Sequence, residues 1–149
     1  MSEAYTRTRD GFTVSDDPTR LDVTAIHATL ARSYWARGIP HATVERSIRG
    51  SLCLGLYDQS GAQIGFARVV TDRATFAYLC DVYVLEAYRG RGLGVWLTDC
   101  VLAHPDLQGL RRFLLTTQDA HGVYEKAGFI RAPFPERFMV IDRPTLYQR

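Results

Sequence analysis

The period of hydrophobic positions changes several times along the chain. Phe12 and Val14 alternate with polar neighbours, the period-two pattern of a strand. Val23, Ile26, Leu30 and Tyr34 then recur every three or four residues, with Asp22 placed to cap the helix they predict. Gly38 breaks that run, Pro40 opens a second helix carrying Val44 and Ile48, and Gly50 closes it. Three apolar runs follow: Leu52 to Tyr57, Gln63 to Val70, and the aromatic-rich Ala74 to Val84. Turn residues at 58–61 and 72–73 separate them, so they read as consecutive antiparallel strands. Leu93, Trp96, Leu97, Cys100 and Val101 return to helical spacing, which His104-Pro105 ends. Phe113 to Thr117 reads as a strand and Ala120 to Ala127 as a short helix, with Asp119 as its cap and Gly128 as its stop. Phe129 to Arg131 and Arg137 to Ile141 read as the last strands.

The predicted order is β-αα-βββ-α-β-α-ββ. It implies an α/β (α+β) fold with a mixed, mostly antiparallel sheet flanked by helices. Residues 1–10 show no apolar period and are expected to be a flexible tail ahead of a single domain over 11–149. A chain of 149 residues suffices for a core without disulfides or metals.

Charge and cysteine usage narrow the class. The formal net charge is +2, too small for the basic stripe of a dedicated nucleic-acid binder. Cys53, Cys80 and Cys100 lie far apart in apolar stretches, which suggests buried thiols in a reducing compartment. No run reaches the ~18 apolar residues of a membrane span, and the polar start, Met1 to Asp10, is not a signal peptide. A cytoplasmic protein is expected. His27, His41 and His104 have no metal-ligand spacing with one another or with a cysteine, so no metal is expected.

The chemistry concentrates where the apolar strand ending at Val84 runs into Arg89-Gly90-Arg91-Gly92-Leu93-Gly94-Val95 and a helix. A helix start offers free N–H groups and partial positive charge. Glycines allow φ > 0 and close ligand approach, and Arg89 and Arg91 add charge. The turn suits a phosphate or pyrophosphate. It lacks the Gly-Lys-Ser/Thr of a P-loop, and its third glycine comes one residue early for G-x-G-x-x-G. By itself the turn is compatible with an anion site or with a tight turn that binds nothing.

Arg89-Gly90-Arg91-Gly92-Leu93-Gly94 resembles the R/Q-x-x-G-x-G/A motif of the GNAT family of N-acetyltransferases. Val82-x-Val84 ahead of it, and Tyr124-Glu125-Lys126-Ala127-Gly128-Phe129 after it, resemble that family's neighbouring signatures in the same order. The resemblance implies acetyl-CoA as co-substrate, with its pyrophosphate on the amides of Arg89 through Val95 and its pantetheine arm along Val82, Tyr83 and Val84. An N–H near Val82 would stabilise the oxyanion. Tyr124 would protonate the leaving thiolate. The implied reaction is direct acetyl transfer to a primary amine of a small molecule or peptide, with an acyl-CoA sensor as the alternative. It also allows a homodimer through the C-terminal strands, where Phe138-Met139-Val140-Ile141 is apolar.

Two positions depart from the family pattern. Cys80 stands where the polyamine branch often carries Glu, leaving Asp81 either as the general base or as a structural aspartate. The family's Asn near the start of the tyrosine helix is absent, and His121 lies three residues before Tyr124. On the acceptor side the resemblance points to Tyr34, Trp35, Arg37, Phe66, Arg68, Tyr78 and Asp81. Five arginines against two acids between Thr19 and Gly50 are either a solvated helix face or a lure for an acceptor bearing a carboxylate. Arg68, interrupting an apolar strand, is the expected clamp for that carboxylate.

Overall fold

The computed structural model describes residues 3–148. Six strands form one sheet in chain order: β1 (Thr6–Arg9), β2 (Phe12–Ser15), β3 (Leu52–Tyr57), β4 (Gln63–Thr71), β5 (Phe76–Val84) and β6 (Arg112–Leu115). Neighbours run antiparallel except β5 and β6, which are parallel. Helices α1 (Val23–Ala31) and α2 (His41–Arg49) follow β2; α3 (Leu93–Leu102) joins β5 to β6, and α4 (His121–Lys126) follows β6. A parallel pair needs a crossover of this kind, whereas the antiparallel strands are joined by turns.

Strand alternation divides the core between the two faces. Leu52, Leu54, Leu56, Ala67, Val69, Ala77 and Leu79 meet Leu93, Leu97 and Val101 of α3 on one face. Cys53, Phe66 and Tyr83 meet Ile26 and Leu30 of α1 and Val44 of α2 on the other. Leu79 and Tyr83 are an even number of residues apart and would share a face in a regular strand. They do not, because β5 carries one extra residue between the pairs Phe66–Tyr83 and Arg68–Cys80. The bulge reverses which side chains point to which face beyond it.

Two expectations are corrected. Residues 6–9, expected within a loose tail, form β1. All four side chains are exposed, so no apolar period marks them. The missed signal is Asp10-Gly11, with φ of 51° and 84°, a turn that matches hairpin twist. Tyr5, at the other end of the hairpin, is buried and donates from its hydroxyl to the Cys100 carbonyl at 2.8 Å. The strands expected at 129–131 and 137–141 do not form. These residues run irregularly past β6, with Ile130, Met139, Val140 and Ile141 at least 80% exposed. A strand exists only where another backbone pairs with it, and Pro133 and Pro135 supply no N–H to a ladder.

Candidate active site

Strands β5 and β6 part where the chemistry was expected. Their ladder ends at the pair Leu79–Leu115. Beyond it, Cys80, Asp81 and Val82 face Thr116, Thr117 and Gln118 across an opening. The bulge causes the parting on the β5 side, where Asp81 takes φ 54°, a left-handed conformation uncommon for a non-glycine residue. Tyr34, Trp35, Tyr78, Asp119, Ala120 and Tyr124 complete a cleft of about 400 Å³.

Asp81 is held from both sides. Its Oδ2 accepts from Arg68 Nε at 2.8 Å and its Oδ1 from Trp35 Nε1 at 2.9 Å. Arg68 also donates to Ser51 Oγ at 3.0 Å and is not among the cleft's lining residues. The residue expected to clamp an acceptor carboxylate therefore has its guanidinium engaged inside the protein. The burial of this pair is stabilised by mutual charge and by the remaining hydrogen bonds. Its geometric effect is to fix the bulge and to hold Trp35, from the loop between α1 and α2, over the cleft.

The glycine turn sits directly beyond β5. Gly90 and Gly92 have φ of 80° and 75°, and a Cβ at either would meet nothing within 4 Å. The backbone angle, rather than crowding, requires glycine there, and the outer face of the turn is open. Gly92 caps α3 without a side-chain hydrogen bond, leaving the first-turn amides of Leu93, Gly94 and Val95 without intrahelical acceptors. Arg89 Nε donates to the Val84 carbonyl at 3.0 Å. Tyr88 donates to Asp58 Oδ2 at 2.8 Å while the Arg91 guanidinium lies 5.5 Å from its ring centre, so the turn is tied to the β3–β4 hairpin. An open run of backbone donors beside two arginines fits a pyrophosphate-bearing group such as coenzyme A.

Tyr124 lies on α4, half-buried against the core and edge-on to Phe129, with its side chain at the cleft. Burial pushes its hydroxyl up to about 12, and the neighbouring Tyr34 and Asp119 push the same way. At neutral pH it is a protonated donor. Burial likewise raises the Cys80 thiol to about 12, against the opposing pull of Arg68, which disfavours a nucleophilic thiolate. His121 opens α4 and is exposed. Asp119 does not cap that helix; Ala120 stands at the cap position, and Asp119 is among the residues lining the cleft. In sequence the run from Thr117 to Asp119 stands out only as a helix start that lacks the family's Asn; in the structure Thr116 to Asp119 line the cleft, between a strand end and a helix start, where a site is commonly built.

Residues 20–129 match the model of the acetyltransferase (GNAT) family. The chain belongs to the GNAT acetyltransferase family. A Gibberella zeae protein carrying a provisional acetyltransferase name is 34% identical, the match covering 80% of this chain and 78% of that protein. A GNAT-family protein from Xanthomonas campestris has a crystal structure similar to this one at TM-score 0.90 and 50% identity, covering 95% of this chain and all of that one. A predicted acetyltransferase from Clostridium acetobutylicum, solved with acetyl-CoA, shares the fold at TM-score 0.64 and 14% identity, over 88% and 94% of the two chains. Family membership makes this chain an acetyltransferase. Among the described residues no helix is long and apolar enough to cross a membrane, and no cluster of three His, Cys, Asp or Glu side chains is placed to hold a metal.

Proposed function

We propose that this acetyltransferase moves an acetyl group from acetyl-CoA to a primary amine by direct attack within a ternary complex. The observation that carries the reading is the bulged end of β5, which lines the cleft together with Tyr124 and leads along the same strand into the open glycine turn.

Acetyl-CoA supplies the thioester whose acyl carbon the amine attacks. The amides of Gly90 to Val95 bind the pyrophosphate, the Arg89 N–H being given to the Glu86 carbonyl at 3.1 Å. The parted edge of β5 at Val82, Tyr83 and Val84 offers backbone partners to the pantetheine arm. The Val82 N–H stabilises the thioester oxygen as it gains charge, a contribution of the oxyanion-hole kind. As the new C–N bond forms and the C–S bond breaks, the Tyr124 hydroxyl gives its proton to the sulfur and regains one from solvent. The amine gives its surplus proton to cleft water. Asp81, already holding Arg68 and Trp35, acts as a positioning residue for the bulge rather than as the base.

Initial velocities of thiol release, measured against both substrates, test this. Intersecting double-reciprocal lines are expected for a ternary complex. Parallel lines would instead indicate a covalent acetyl-enzyme. Acetyl-CoA binding without turnover on any amine would favour the sensor. The reading extends to a cytoplasmic homodimer. Free thiols at Cys53, Cys80 and Cys100 support a reducing compartment, and the exposed apolar C-terminal segment supports self-association.

A further inference from the structure

The cleft has a chemical character that narrows the acceptor. Tyr34 and Trp35 stand edge to face, 5.0 Å between ring centres, and remain 48% and 43% exposed. Tyr78 faces them from β5, its hydroxyl 3.2 Å from Thr116 Oγ1. The backbone N–H of Gln118 donates to the Tyr34 hydroxyl at 3.3 Å, so the aromatic loop is joined to the opposite rim. Among the described residues no arginine or lysine lines the cleft. The Arg68 guanidinium is engaged by Asp81 and Ser51. Asp119 stands exposed on the rim, with no Arg, Lys or His nitrogen within 4 Å among the described residues. Its charge reaches Tyr124.

We propose that the acceptor is a primary amine carried on a flat apolar body and bearing no carboxylate, such as an arylalkylamine. This rests on the acetyl-CoA-to-amine reading above. The ring of such an acceptor packs against Tyr34, Trp35 and Tyr78. Its ammonium is drawn to Asp119 and to the aromatic faces, beside the hydroxyl of Tyr124. A carboxylate on the same molecule would meet Asp119 and find no free cation, a mismatch that rejects it. A linear polyamine would satisfy the charge but leave the aromatic wall unused. The arginine-rich stretch at 20–49 does not reverse this, since none of its five arginines lines the cleft.

The test compares phenethylamine, phenylalanine and putrescine at fixed acetyl-CoA, following thiol release. Phenethylamine is expected to exceed both others in kcat/KM by at least about tenfold, the scale of one lost aromatic or charge contact. Asp119→Asn and Trp35→Leu are each expected to raise KM for phenethylamine about tenfold while KM for acetyl-CoA stays unchanged. A preference for phenylalanine or for putrescine, or indifference among the three, would overturn the acceptor class while leaving amine acetylation intact. Indifference of KM to both substitutions would overturn the placement of the acceptor in this cleft. Absence of turnover on these and on polyamine, aminoglycoside and dipeptide amines, despite acetyl-CoA binding, would overturn amine transfer itself.

Discussion

At the scale of single residues, backbone angle and burial decide what each side chain is able to do. Gly92 has φ 75° with open space around a notional Cβ. Gly92→Ala therefore carries only the left-handed penalty, about 1–2 kcal/mol, and the protein is expected to fold with a modestly lowered Tm. Its KM for acetyl-CoA should rise about tenfold, because relaxing that angle turns the first amides of α3 away from the phosphate. Calorimetry and thiol-release kinetics on the same preparation separate the two effects; an unchanged KM would mean that the turn does not bind the cofactor. Tyr124 and Asp81 show how far a motif reaches. The Tyr124 motif is legible as a signature; the residue lines the cleft, and burial raises the pKa of its hydroxyl. The partners of Asp81 were not legible, because Arg68 is 13 residues away and Trp35 is 46, and no sequence period links them.

At the scale of elements, the apolar periods located α1, α2, α3 and strands β2 to β6, with ends displaced by a few residues. They predicted a first helix reaching Tyr34, whereas α1 stops at Ala31 and leaves Tyr34 and Trp35 on the following loop, where they line the cleft. They missed β1, since strand pairing through backbone alone leaves no apolar trace when both faces are wet. The bulge in β5 leaves no mark in the apolar periods. One inserted residue alters a period-two pattern too little to be read from a single strand, yet it decides which face receives Tyr83 and where β5 leaves β6. The strands expected at 129–131 and 137–141 fail for the opposite reason. Their composition suits strands, but among the described residues no strand pairs with them.

At the scale of the whole molecule, that unpaired segment is the largest irregularity. Beside it a groove of about 710 Å³ lies along Arg112 to Leu115 and the chain from Phe129 to Phe138. Among the described residues no strand pairs with the outer edge of β6. An open edge beside an exposed apolar segment of the same chain is completed most simply by a second copy. In light scattering coupled to size exclusion, the wild type is expected at twice the 16.8 kDa chain mass. Met139→Asp with Ile141→Asp is expected at the monomer mass with its folded spectrum retained. A monomeric wild type would refute the arrangement.

The proposed reaction has the cleft at the end of β5 performing acetyl transfer with Tyr124 as proton donor. It is tested most directly by comparing acetyl-CoA thiol release by the wild type and Tyr124→Phe, with phenethylamine or whichever amine the panel shows to be accepted. Loss of the hydroxyl is expected to lower kcat by about 10²–10⁴, with acetyl-CoA still raising Tm in both proteins, as a ligand of the native state must. An unchanged kcat in a folded, acetyl-CoA-binding Tyr124→Phe would contradict the account and leave the leaving thiolate to be protonated elsewhere.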